Sequence, residues 1–161
     1  PAAMAVVEHV AGLAAAALPE GEAHPIVFPL IAALFAAAGA GADRLTLGAA
    51  LVRLELALLG ELGLGLDLSA CAATGVREDL AFVSPKSRQA VSRAAGAPYA
   101  ARLLPLPGFV LAGGPADADA LADGLKLSGH FLFRNLLAGN PAETRLRQGR
   151  DRLVGLLLAP A

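Results

Sequence analysis

"DRLTLGAALVRLELALLGEL", Asp43 to Leu62, is the stretch from which the fold is read. Leu47, Leu51, Leu54, Leu58 and Leu62 recur at steps of three and four residues, which lines them up as one apolar stripe along a helix. Arg53 lies beside that stripe rather than opposite it. Gly63 and Gly65 stop the helix. Beyond them the pattern changes: "LDLSACAATGVREDLAFVSPKSRQAVS" (Leu66 to Ser92) is rich in turn formers. Within it, "LAFVS" and "AVS" flank Pro85-Lys-Ser-Arg-Gln89, which reads as a β-hairpin.

Outward from this pair the chain is helical. "AAMAVVEHVAGLAAAAL" (Ala2 to Leu18) forms a first helix closed by Pro19, and Pro25 to Ala38 a second, ending at Gly39 and Gly41. Helical character returns at Ala97 to Leu104, and "PLPGFVLAGGP" is a Pro/Gly connector. Asp117 to Leu137 reads as one long helix with acids near its start, where the helix dipole favours them. A last helix begins near Pro141 or Ala142 and carries Arg145, Arg147, Arg150 and Arg152. The expected fold is mainly α. It is a single helical domain over residues 1–161, a bundle with a turn-rich β insert at about 67–96.

Composition narrows the function. Of 161 residues 56 % are apolar, but alanine and leucine dominate and there is no Trp, which suits closely packed helices. A single cysteine excludes an internal disulfide and points to a reducing compartment. Ala23 to Ala42 carries no Asp, Glu, Lys or Arg, yet "PIVFPLIAALF" has the length of a buried core helix, so no membrane partner is expected. The N-terminus lacks a basic region and Glu8 and His9 interrupt its apolar run, which argues against a signal peptide. Charge is unevenly spread: between Asp79 and Asp117 there is no acid, whereas Lys86, Arg88, Arg93 and Arg102 all fall there. That asymmetry is either a solvated face or a patch for nucleic acid or an acidic peptide.

Catalytic chemistry finds no footing. His9, His24 and His130 have no local partner arranged for metal binding, and His130 in "SGHFLF" reads as a packed or half-exposed helix residue. Asp117, Asp119 and Asp123 are explained by a helix start. The Gly-rich "GLGLD" and "LAGGP" lack the Lys-Ser/Thr of a phosphate loop. An enzyme using Cys71 as nucleophile is the reading set aside here, and no catalytic residue or cofactor is expected. A pattern of two knuckles is more informative. Zinc ribbons place two Cys-x-x-Cys pairs in two turns, and in register the four positions here are Cys71, Thr74, Ser92 and Ala95, with Gly75 and Gly96 closing the turns. One thiolate does not hold a structural zinc, so no metal is expected.

The segments have a family likeness. "VRLELALLGELGLGLDLSACAATG" (Val52 to Gly75) resembles the Arg-aromatic-Glu-Leu-x-Leu-Leu-x-x-Leu-Gly-x-Gly-x-x-Leu-x-x-Cys segment of RecO, the bacterial recombination mediator. "LAFVSPKSRQAVS" resembles the hairpin that follows there, and "LKLSGHFLFRNLL" and "RLRQGRDRL" its last two helices. The resemblance implies DNA repair and recombination without bond-breaking chemistry. It implies binding of single- and double-stranded DNA, strand annealing, and action with RecR, and in many bacteria RecF, to load RecA on strands coated by single-strand-binding protein. It further implies contact with that protein's acidic C-terminal tail, a bacterial cytoplasmic and nucleoid-associated location, and in many members a zinc-binding insert. Nothing here resembles the OB fold with which the family begins; the sequence given reads as the C-terminal helical part, so DNA binding by that fold is not assumed. Leu54 stands where an aromatic is usual. Arg53 carries over as the motif arginine, and Arg53, Arg102, Arg134, Arg147 and Arg150 are the expected contacts for DNA or acidic peptide. The competing reading is a helical scaffold or protein-interaction module without nucleic-acid binding.

Overall fold

A computed structural model describes residues 1–160. Its centre is α3 (Arg44–Glu61), which packs against α1 (Ala2–Ala17), α2 (Val27–Gly39), α5 (Gly108–Ala112), α6 (Ala118–Phe131) and α7 (Glu143–Leu157). Asp43 caps α3 by accepting a hydrogen bond from the Thr46 backbone N–H at 2.8 Å, and Asp117 caps α6 through Ala120 in the same way. Leu47, Leu51, Leu54 and Leu58 of the expected stripe are buried. Each such leucine contributes about 1.5–3 kcal/mol on leaving water. Two glycines let α6 come close: a Cβ on Gly48 of α3 would meet Leu121 at 2.6 Å, and one on Gly124 of α6 would meet Phe109 at 2.6 Å.

The β insert is a three-stranded antiparallel sheet in the order β2-β1-β3, made of β1 (Leu80–Val83), β2 (Ala90–Ser92) and β3 (Leu104–Pro105). Val83 pairs with Ala90 on one side and with Leu104 on the other. Between β2 and β3 run a short helix, α4 (Arg93–Gly96), and a 3-10 turn, Ala97–Arg102. The insert therefore extends past residue 96, because Leu106 donates to the Ala81 carbonyl and ties the connector to the sheet. Val83, Ala90, Leu104 and Leu106 form a second apolar cluster with Leu59, Leu127 and Phe131. Leu56, Val110 and Leu136 pack on both clusters and make them continuous.

Three details differ from the expected outline. The Pro/Gly connector begins with the second residue of β3, Pro105, and contains α5. The long helix from Asp117 changes after Phe131 into a π-helical turn, Leu132–Leu136, where Leu137 donates to the Leu132 carbonyl five residues back. That wider turn keeps Leu132, Phe133 and Leu137 all buried. And α2 is an edge helix rather than a core one: only Val27 and Leu34 are buried along it, while Phe28 and Leu30 face solvent. Among the described residues no helix is long and apolar enough to cross a membrane.

Candidate functional site

The sequence of α7 places Leu146, Arg150, Leu153 and Leu157 on one face, and all four are buried. Arg150 thus enters the core, where Glu55 of α3 meets it. Arg150 donates from Nε to Glu55 Oε2 at 2.9 Å and from Nη2 to Oε1 at 2.8 Å, a bidentate pair. Nη2 also donates to the Leu125 carbonyl, and the Ser128 hydroxyl and His9 Nε2 both donate to Glu55, each at 2.9 Å. Since a carboxylate only accepts, His9 Nε2 carries its proton. Burial by itself would raise the Glu55 pKa; the charge of Arg150 and the bonds from His9 and Arg150 outweigh it and hold the carboxyl well below the usual range. Burial likewise disfavours the Arg150 cation, and the Glu55 charge overcomes that, raising its pKa. Arg150 is therefore not the surface anion contact expected of it: its charge is spent inside the bundle. Glu55 and Ser128 were not singled out from sequence, and His9 was weighed there only as a metal ligand and as a break in the first apolar run.

Arg53 fares differently. One residue pair away on α3, it is half-buried, donates from Nη2 to the Gly114 carbonyl, and lies over the Phe109 ring with its Cζ 5.4 Å from the centroid. Among the described residues it has no carboxylate partner within ion-pair distance. It forms part of the wall of a groove of about 280 Å³, with Leu56, Ala57, Gly60, Gly65, Leu66, Leu68 and Val110. An otherwise apolar wall carrying one guanidinium with no carboxylate partner matches a ligand that is apolar at one point and anionic beside it.

Of the remaining arginines, Arg102 is exposed at the end of the 3-10 turn, and Arg134 is exposed in the π-helical turn. Arg147 lies over the Phe133 ring, 4.4 Å from its centroid, and pairs with Glu143 one helical turn back at 3.2 Å. Phe133 thereby brings Arg134 and Arg147 to the same end of the bundle. No hydrogen bond, ion pair or ring contact among the described residues links that end to Arg53 or Arg102. His130 is half-buried, and burial, together with the Arg134 charge, lowers its pKa.

The knuckle positions do converge. Gly75, with φ 76°, turns the chain back so that its N–H donates to the Cys71 carbonyl at 2.8 Å. Thr74 and Ser92 both hydrogen-bond Cys71, pulling its thiol down to about 6, although the residue is buried at 3 % exposure. The second turn departs from the knuckle form: Ser92 caps α4 through the Ala95 N–H, and Gly96 is helical, required instead because a Cβ there would collide with the Phe82 ring. One thiol, two hydroxyls and a methyl group are not a zinc donor set, and no group of three or more His, Cys, Asp or Glu among the described residues is placed to hold a metal.

Comparison with known proteins bears on most of the chain. The family model described as Recombination protein O C terminal matches residues 1–142. The chain is 48 % identical over 146 residues to the DNA repair protein RecO of Acidiphilium cryptum, covering 88 % of this chain and 57 % of that protein. It is 51 % identical over 134 residues to the protein of that name from a Caulobacter species, covering 82 % and 54 %. To that of Rhodospirillum rubrum it is 44 % identical over 155 residues, covering 94 % and 61 %. The chain thus spans little more than half the length of these curated relatives. No solved structure matches it significantly.

Proposed function

The chain belongs to the recombination protein O C-terminal family, and on that premise we propose that it is a non-catalytic binding module of DNA repair and recombination. Its ligand at the α3 groove is an acidic peptide ending in an aromatic residue, the chemistry of the single-strand-binding protein's tail. The carrying observation is Arg53, which has no carboxylate partner and lines an otherwise apolar groove. The aromatic side chain would enter between Leu56, Leu66 and Val110, and the carboxylates would take the guanidinium donors that Gly114 leaves over. Arg102, Arg134 and Arg147, exposed and outside the core, are the proposed phosphate contacts for single- and double-stranded DNA. The family reading extends to assistance in strand annealing and in loading RecA, with RecR and RecF as partners in the cytoplasm.

Fluorescence titration of the purified chain with an acidic, Phe-ended peptide and, separately, with single-stranded DNA tests this. Saturable peptide binding that Arg53→Ala weakens, and DNA binding that falls steeply with salt, are the expected results. No saturable binding to either at low salt overturns the proposal for this chain. One observation favours the competing reading, a helical scaffold without anion binding: Arg150, on the most arginine-rich helix, is a core residue. On that reading Arg53→Ala changes no binding at all.

A further inference from the structure

Resting on the groove reading above, we infer that Phe109 is the positioning residue for anion recognition by Arg53, and that Gly124 sets where Phe109 lies. The chain of contacts runs from α6 to the groove. Gly124 offers bare backbone to the ring: a Cβ there would stand 2.6 Å from Phe109 Cζ, 3.0 Å from Cε1 and 3.4 Å from Val52 Cγ1. The ring therefore beds against α6, 4 % exposed, with its face turned to Arg53. At 5.4 Å from the centroid the guanidinium is within the range of attraction to an aromatic face. The Gly114 carbonyl accepts from its Nη2, in a loop where Gly113 and Gly114 both have positive φ.

Two consequences separate this arrangement from ordinary core packing. A long, flexible side chain is held in one orientation before ligand arrives, so less conformational entropy is lost on binding. And α5 serves the groove twice, since Val110, the next residue, forms part of its wall. Leucine at 109 would fill most of the ring's volume but present no π face.

The test is a binding cycle with the acidic, Phe-ended peptide on the full chain, with melting temperature and circular dichroism recorded for each variant. Phe109→Leu is expected to weaken peptide binding about three- to tenfold. Gly124→Ala, which removes no core atom but displaces the ring, is expected to weaken it in the same direction. The Arg53→Ala/Phe109→Leu double variant is expected to bind no more weakly than Arg53→Ala alone, because the ring acts only through the arginine. Additive losses in that cycle, or wild-type affinity in both Phe109→Leu and Gly124→Ala while Arg53→Ala has lost it, overturn the positioning role and leave the groove reading standing. Wild-type affinity in Arg53→Ala overturns the groove reading itself, and this inference with it.

Discussion

Arg150 of α7 and Glu55 of α3, 95 positions apart in the chain, meet through two hydrogen bonds of 2.9 and 2.8 Å in the interior of the bundle. The carboxylate has no exposed surface, and its two oxygens also accept from His9 and Ser128. This network ties α1, α3, α6 and α7 at one point. Removing one partner strands a buried charge, which costs about 3–5 kcal/mol. Arg150→Met should therefore lower the melting temperature by roughly 6–20 °C. The double variant Glu55→Leu/Arg150→Met should melt above Arg150→Met, since no charge is left unpaired. A double variant that is worse by the full sum of both singles would show that the pair is not coupled.

The same network sets an acid limit. Glu55 titrates below its ordinary value of 4.5 in the folded protein, so the unfolded chain takes up the proton first as pH falls. Its contribution to stability is fully present above about 4.5 and is lost progressively as the pH drops below that value towards the folded pKa. Asp43 and Asp67, held low by backbone and side-chain hydrogen bonds from Thr46 and Ser69, act with the same sign. The Glu55 share is isolated by difference: denaturant unfolding at pH 7, 5, 4 and 3 should show a shallower fall in Glu55→Gln than in the wild type. Parallel pH profiles would remove Glu55 from the account.

How much of this was legible beforehand turns on the kind of signal. The α3 stripe and the hairpin were readable because periodicity and turn chemistry are local, and Leu47 through Leu58 and Leu80 to Ser92 fold as their neighbours dictate. Strand β3 was not: two residues, one of them proline, carry no alternation, and only pairing with β1 makes them a strand. Arg150 was misplaced because four arginines crowd "RLRQGRDRL" and each looks like surface. The spacing of Leu146, Leu153 and Leu157 around it was the available sign that it faces inward. Glu55 likewise sits between Leu54 and Leu58, and a lone acid there asks for a buried cation that no local pattern can name. Arg53 was legible as beside the stripe, whereas its platform, Phe109, lay in what read as a connector.

Two glycines on neighbouring helices should respond to the same substitution with opposite sign. Gly129 on α6 leaves the slot through which Arg150 reaches Glu55; an added Cβ would stand 3.0 Å from Arg150 Cζ. Gly129→Ala should be destabilising despite the better helix propensity of alanine. Gly155 on α7 has nothing within 4 Å of such a Cβ, and Gly155→Ala should gain up to about 1 kcal/mol. Thermal melts of the two variants decide it, and stabilisation by Gly129→Ala would mean that Arg150 can pass another way.

The turns around Cys71 make the last test. Thr74 and Ser92 already reach the Cys71 thiol, and Ala95 packs partly buried into the same cluster. If these positions are a zinc-ribbon scaffold that folds without metal, cysteines are all that separates them from a site. The Thr74→Cys/Ser92→Cys/Ala95→Cys variant should take up one zinc per chain, measured by elemental analysis, and melt higher with zinc than with chelator. The wild type should melt identically in both, because its single thiol cannot complete a tetrahedral set. Ser92→Cys removes the cap of α4, so the triple variant without zinc should be less stable than the wild type. Failure of the triple variant to bind zinc would mean that the α4 turn, helical at Ala95 and Gly96, holds the second pair of positions away from the first.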